Sequence, residues 1–261
     1  MRKTVTLFIM FILLLSVFSC KGKTVEISPD IASSDEQLYT QGQVHMKKDP
    51  ERARLYFRQI IDSFPKSFYA QRAKLAIADS YYNKGDESNM IIAASEYREF
   101  IALYPYSPSA SYAQHQIAMS YFKKTLRAGR DQSKTQQALL EFKKVVTNYP
   151  MSNEAKEARE NIKACENKLA DHVLGIGKHY YKVKAYQASI NRLTDILNNY
   201  LNYQKMDQVY YFIGDSHFRG KQTEESLPFF TKLITDFPQS KFATKAQKKL
   251  EEINRDKNRK K

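Results

Sequence analysis

The sequence predicts an all-α fold of stacked helical hairpins, and three observations carry that reading. First, one short pattern recurs: an aromatic residue, a proline, any residue, a serine, then two alanines three apart. It reads Phe64-Pro65-Lys66-Ser67 with Ala70 and Ala73, and Tyr104-Pro105-Tyr106-Ser107 with Ala110 and Ala113. It returns as Tyr149-Pro150-Met151-Ser152 with Ala155 and Ala158, and as Phe237-Pro238-Gln239-Ser240 with Ala243 and Ala246. Second, the copies are evenly spaced. Pro65 to Pro105 is 40 residues, Pro105 to Pro150 is 45, and Pro150 to Pro238 is 88, which leaves room for one more unit. Third, the chain has no Val/Thr-rich alternating runs and only 8 glycines and 8 prolines in 261 residues, which argues against a sizeable sheet.

Each part of the motif has a physical task. Proline cannot continue a helix and pushes the residue before it out of the α region, so one helix ends there. The serine two residues on can accept from the orphan N–H groups of the next helix. Alanines at i and i+3 leave one face of that helix flat enough for close packing. A degenerate fifth copy, Tyr200-Leu201-Asn202-Tyr203, has lost its proline. Helix–turn–helix units with periods of about 34 to 50 residues mark an α-solenoid, and the tetratricopeptide form carries Ala-x3-Phe in its second helix. That element is present as Ala53-x3-Phe57, Ala93-x3-Tyr97 and Ala138-x3-Phe142, blurs to Ala188-x3-Arg192, and ends as Ser226-x3-Phe230. The expected fold is therefore a tetratricopeptide (TPR) solenoid of five helix-turn-helix repeats and a C-terminal capping helix.

Taken in order, residues 1–19 read as an export signal. Arg2 and Lys3 precede an apolar run, Val5 to Leu15, that is short for a membrane span. Val17-Phe18-Ser19-Cys20 resembles a lipobox, which would make Cys20 the lipid attachment site; the alternative is an ordinary signal peptide with an incidental cysteine. Residues 20–34 are polar, with Pro29, and are expected to tether the folded part to the membrane. Repeats one to three occupy 35–150, with helices expected over Asp35–Lys47, Pro50–Phe64, Ser67–Asn83, Asn89–Tyr104, Ser107–Lys124 and Thr135–Tyr149. Turns fall at Gly85-Asp86 and over Arg127–Asp131. The C-terminal half, 151–255, starts with an unusual segment. From Ser152 to about Val183 there is no proline, and apolar residues at 155, 158, 162, 165, 169, 173, 176 and 180 form one unbroken stripe. It predicts a single helix of about 30 residues, roughly 45 Å long, joining repeats three and four, weakened locally by Gly175 and Gly177. Helices over Ala185–Tyr200, Gln204–Arg219, Thr223–Phe237 and Ser240–Arg255 follow, and 256–261 form a basic, solvated tail.

The charge, 42 basic against 28 acidic residues for +14, suits acidic proteins or anionic lipid, while the export signal removes nucleic acid as a partner. Once Cys20 is acylated, Cys165 has no partner thiol, and its place on the apolar stripe makes it a small buried hydrophobe. Catalytic constellations are missing. Cys165 and His172, and His172 and His179, stand seven apart on one helix, about 10 Å along its axis, too far for a nucleophile–base pair or shared metal ligation. Gly175-Ile176-Gly177 lacks the third glycine and the strand of a dinucleotide loop. No enzyme activity, cofactor or metal is expected.

On these residues the chain resembles the BamD family, lipoproteins of the β-barrel assembly machinery of outer membranes. The similarity covers about Ser34 to Ile253. It is most specific at Arg130-Asp131, at Gln136-Gln137-Ala138-x3-Phe142, and at Ala185-Tyr186-x-Ala188-x-Ile190-Asn191-Arg192. The resemblance implies a scaffold on the periplasmic face of the outer membrane, working beside other lipoproteins of the machinery. Its C-terminal repeats would dock on the POTRA domain of BamA, with Asn191 and Arg192 at that contact. Its N-terminal repeats would receive the C-terminal signal of unfolded outer-membrane proteins. For that receiving surface, the outward positions of the first helices offer Tyr39, Gln43 and Lys47, then Arg72, Asp79 and Tyr82, aromatics and cations suited to a peptide ending in an aromatic residue and a free carboxylate. The rival readings are another periplasmic TPR adaptor, Tol-associated or bound to cell division or peptidoglycan, and a glycan-capturing module.

Overall fold

Each proline of the repeated motif stands where one helix has ended and the next has not begun. The computed structural model describes residues 27–259, so the export signal and Cys20 lie outside the described residues. Repeat one is α1 (Asp35–His45) and α2 (Pro50–Ser63), and repeat two is α3 (Phe68–Tyr82) and α4 (Glu87–Leu103). Repeat three is α5 (Ala110–Phe122) and α6 (Ser133–Asn148), and repeat four is α7 (Asn153–Lys182) and α8 (Tyr186–Asn199). Repeat five is α9 (Met206–Arg219) and α10 (Thr223–Asp236), followed by α11 (Lys241–Arg259). The described chain divides into two compact units, residues up to Ala76 and residues from Ile77 on. The fold is the helical-repeat class that the sequence predicts.

Local chemistry explains the boundaries. Asp49, Asp86 and Ser152 each accept from the N–H three residues on, capping α2, α4 and α7 at 3.0, 3.0 and 3.1 Å. The other motif serines act differently from the expected cap. Ser67, Ser107 and Ser240 accept from the N–H only two residues on, at 2.9, 3.1 and 3.0 Å. Ser67 and Ser240 also donate to Asp35 and Asp207, carboxylates in the first turns of α1 and α9. The turn at Gly85 has a left-handed φ of 75°. Lys184 and Lys221 take the same conformation at φ 62° and 65° in the matching turns of repeats four and five, where a side chain costs about 1 kcal/mol.

Three expectations need correction. The end of the expected tether carries a helical turn, Pro29–Ala32. The last helix continues to Arg259, four residues past the expected stop, while Asn254 to Asn258 are exposed as the solvated tail requires. In repeat four the motif register is Ser189-x3-Leu193, both residues fully buried, and not Ala188-x3-Arg192. Ser189 replaces alanine because its hydroxyl donates to the Gly177 carbonyl at 2.9 Å, so the small polar group is satisfied inside the packing.

The long helix α7 runs unbroken for 30 residues. Its first half contributes Ala155, Ala158 and Cys165 to a core with Ala118, Ala138, Phe142 and Val145. Its second half contributes Ala170 and Leu174 to another, with Ile190, Leu193, Ile196, Val209 and Ile213. Since each fully buried large side chain contributes about 1.5–3 kcal/mol, one rod is held firmly in two cores. A third core, with Phe230, Leu233, Phe242 and Ala246, seats α11. Cys165 is fully buried, and burial pushes its thiol up to about 11, which leaves it inert as a nucleophile.

Candidate functional site

Tyr39 and Gln43, one turn apart on α1, are joined by a 3.0 Å hydrogen bond from the Gln43 amide to the Tyr39 hydroxyl. The Arg72 guanidinium of α3 lies 4.8 Å from the centre of the Tyr39 ring and 5.4 Å from that of Phe68. Tyr69 completes the group, 5.2 Å from Tyr39 between ring centres. Phe68 is 70% exposed, a large apolar ring left in water beside a cation. No carboxylate pairs with Arg72 among the described residues, so this exposed guanidinium is seated over aromatic rings with no anion to neutralise it. Three of the expected groove residues, Tyr39, Gln43 and Arg72, thus meet in one exposed cluster, and Phe68 and Tyr69 join them. Phe68 stands in the first turn of the expected helix, directly after the motif serine, and no sequence pattern marks it as a surface residue.

The other three do not fit the expected groove. Lys47 is exposed but lies in the turn beyond His45, off the helical face assigned to it, because α1 ends two residues earlier than expected. Asp79 is drawn inward: it accepts from the Tyr97 hydroxyl at 2.5 Å and from the Tyr112 hydroxyl at 2.9 Å. Burial raises the Asp79 carboxyl above its usual range despite those two donors, and burial beside Asp79 pushes the Tyr112 phenol up to about 12. Its role is to tie α3 to α4 and α5. Tyr82 holds the Lys123 ammonium 4.2 Å from its ring centre and meets Tyr97 edge-on, a packing contact as much as a surface.

On α8 the corrected register turns Ile190, Leu193 and Ile196 into the core and leaves Asn191 and Arg192 outside. Asn191 accepts from Gln187 at 2.9 Å, and Arg192 reaches Asp195 one turn on at 3.3 Å with 46% of its side chain exposed. Such a pair contributes a few tenths of a kcal/mol, so Arg192 has almost no duty inside the fold.

The loop carrying Arg130-Asp131 is docked on α7, which sequence reading did not anticipate. Its centre is Gln132, only 6% exposed, whose amide donates to the carbonyls of Arg127 and Arg130 at 3.0 and 2.9 Å and accepts from the Thr135 hydroxyl at 2.9 Å. From α7, Lys168 donates to Thr125 at 2.6 Å, and a His172 ring nitrogen lies 2.6 Å from the Ala128 carbonyl. Asp131 accepts from Ser133 at 2.8 Å and is held below the usual carboxylate range by that bond. A lone glutamine in a polar loop carries no pattern that would mark it.

Nearby, Glu141 accepts from Arg98 at 3.1 Å and Gln114 at 2.9 Å and pairs with Lys144 at 3.1 Å. Burial pushes its carboxyl up, yet those three partners outweigh it and hold the group below its ordinary value. Among the described residues no group of three His, Cys, Asp or Glu side chains could hold a metal ion, and no helix is long and apolar enough to cross a membrane. What the surfaces can do is bind: one exposed aromatic–arginine cluster, and one exposed Asn–Arg pair.

The sequence profile of a family described as outer membrane lipoprotein (YfiO) matches residues 31–212, and a tetratricopeptide-repeat profile matches residues 208–240. The outer membrane protein assembly factor BamD of Caulobacter vibrioides is 31% identical over 189 residues, 71% of this chain and 60% of that relative, so the chain spans about three fifths of that relative's length. The outer membrane protein assembly factor BamD of Rickettsia prowazekii is 26% identical over 250 residues, 93% of this chain and 95% of that relative. Among solved structures, the TPR2AB-domain:pHSP90-complex of yeast Sti1 aligns with 84% of this chain and 85% of that chain at 14% identity and a TM-score of 0.43.

Proposed function

Because the chain belongs to the outer membrane lipoprotein family of the BamD assembly factors, we propose that it is an outer membrane protein assembly factor, a lipid-anchored scaffold on the periplasmic face of the outer membrane. The curated relatives are named as assembly factors and not as enzymes, and the chain is a scaffold of the same kind. The match over residues 31–212 carries the reading, since it contains the aromatic–arginine cluster, the docked loop and Asn191-Arg192 together.

In this reading Cys20 bears the lipid, and Asn191 and Arg192 dock on the POTRA domain of BamA. Arg192 suits that role because the fold makes so little use of it: its one ion pair is local and half in water. Unfolded outer-membrane clients would be received by the Tyr39, Gln43, Phe68 and Arg72 cluster, where a terminal aromatic ring can stack and a terminal carboxylate can meet a preorganised guanidinium. Other lipoproteins of the machinery complete the set of partners, and no nucleic acid is involved. The test is recovery of the tagged chain from detergent-solubilised membranes, combined with porin levels after its depletion. A POTRA–barrel subunit in the pull-down and falling porin levels are expected. Recovery without that subunit, with porins unchanged and the protein concentrated at division septa, would move the chain to the Tol-associated adaptors.

A further inference from the structure

Gly175 is an exposed glycine in the interior of a 30-residue helix, and no contact among the described residues requires it. A Cβ built there meets no atom within 4 Å, whereas one on Gly177 would run into Leu193 at 2.4 Å. A mid-helix glycine loses more backbone entropy on folding than alanine, and what it provides in return is bare backbone that another chain can approach closely. Gly175 lies in a cleft of about 540 Å³, which α7 shares with the docked loop at Ala128 and the start of α9.

The walls of that cleft are cationic. Lys178, Lys182 and Lys205 line it, against one carboxylate, Asp171. Asp171 is already engaged by Lys205 at 2.6 Å and by the Tyr203 hydroxyl. Lys178 reaches only the Gln208 amide oxygen at 3.5 Å and the face of Phe212, and neither it nor Lys182 pairs with a carboxylate among the described residues. An open floor of bare backbone under unpaired ammonium groups suits a polypeptide crossing in extended form with acidic side chains. A lipid headgroup would use the lysines but gain nothing from a missing methyl.

We infer that the Gly175 cleft is a docking site for an extended acidic segment of a partner polypeptide, distinct from the Asn191-Arg192 surface on α8. The probe is a fluorescein-labelled peptide alternating glutamate with serine, roughly ten residues and so about 33 Å extended, titrated by fluorescence anisotropy into the full chain purified in detergent. Gly175→Leu, and Lys178→Glu with Lys182→Glu, should each weaken binding about tenfold or more, while Lys248→Glu, an exposed charge reversal on α11, changes it less than about twofold. Gly175→Ala should raise the melting temperature by roughly 2 °C, because the chain has room for the methyl. Failure of the peptide to bind, equal loss with Lys248→Glu, or unchanged binding by Gly175→Leu would overturn the inference. So would a fall in melting temperature with Gly175→Ala, since the glycine would then serve the chain's own packing. Loss of binding to phosphatidylglycerol vesicles in Gly175→Leu with peptide binding intact would assign the cleft to membrane instead.

Discussion

Leu193 of α8 occupies the space directly over Gly177 of α7, so that a methyl group on Gly177 would stand 2.4 Å from one Leu193 terminal carbon and 2.6 Å from its branch carbon. The same relationship recurs in repeats one and five, where a Cβ on Gly42 would meet Phe57 at 2.4 Å and one on Gly214 would meet Phe230 at 2.8 Å. In each of these three hairpins the first helix gives up a side chain where the second helix inserts its large motif residue. Gly177→Ala should therefore destabilise the chain despite the better helix propensity of alanine. The gain of about 1 kcal/mol is outweighed by overpacking of roughly 1–3 kcal/mol. Leu193→Ala alone should cost about 2–5 kcal/mol and distinctly less in the Gly177→Ala background, because the added methyl fills part of the cavity. Urea denaturation of the two single variants and the double variant measures this coupling.

The same pair shows where sequence reading reaches its limit. Helix positions were legible because proline, capping residues and apolar steps of three and four are local signals. An alanine in the motif place puts the fourth repeat one residue out of register, because Ser189 fills that place by bonding the Gly177 carbonyl, 12 residues away. The spacing held the answer, since Leu193 precedes Leu201 by the 8 residues that separate Phe57 from Pro65. The outward position expected of Asp79 fails for a different reason. Its two partners come from 18 and 33 residues downstream, and a short-range pattern cannot tell an outward carboxylate from one drawn between two tyrosines. The exposure of Asn191-Arg192, by contrast, follows once the register is correct.

His115 is 7% exposed on α5, packed against Phe142, and its Nε2 has no hydrogen-bond partner among the described residues, although the Glu157 carboxylate lies 3.7 Å away. Burial lowers its pKa, and the pull of the largely exposed Glu157 and of Glu154 does not compensate. An imidazole with a depressed folded pKa takes its proton more readily in the unfolded chain, whose value is about 6.5. Stability from this group is thus intact well above that value and falls as the pH drops through it, until the folded-state pKa is reached. His115→Gln should flatten the decline in unfolding free energy between roughly pH 7.5 and pH 5.5. Denaturant midpoints across that range, for both proteins, decide it; parallel curves would exclude His115 as the source.

Arg192 offers the cleanest separation of binding from stability. Its exposed pair with Asp195 contributes at most about 0.5 kcal/mol, so Arg192→Glu should leave the urea midpoint nearly unchanged. If the α8 surface docks on a partner, the same substitution places a carboxylate where a central arginine anchored the contact, a change of about 2 kcal/mol or more, or some thirtyfold in affinity. Binding of purified POTRA domain to the immobilised chain, measured with wild type, Arg192→Glu and Asn191→Ala, should show a large loss for the first and a smaller one for the second. An unchanged affinity for Arg192→Glu would take the docking surface away from α8.

The aromatic–arginine cluster makes a prediction that turns on one atom of the ligand. Arg72 is exposed over Tyr39 and Phe68 and paired with no carboxylate among the described residues, so it is prepared for a carboxylate and not for a neutral amide. A peptide ending in phenylalanine with a free carboxylate should bind more tightly than the same peptide with an amidated terminus, by about 1.5–3 kcal/mol, or roughly tenfold or more. Arg72→Ala should abolish that difference, while Phe68→Ala should weaken both peptides alike, because it removes the ring and leaves the guanidinium in place. Phe68→Ala should cost the fold no more than about 1 kcal/mol, since Phe68 is 70% exposed, and Arg72→Ala about 1–2 kcal/mol, since each of its surface cation–π contacts with Tyr39 and Phe68 is worth about 0.5–1 kcal/mol. The preference for the free carboxylate should also shrink as salt rises, as expected for a charge pair open to solvent. Calorimetric titration of the two peptides into the three proteins at low and high salt tests the four binding expectations and urea denaturation the fifth, and equal affinity of the acid and amide forms for the wild-type chain would remove Arg72 from the client-binding role.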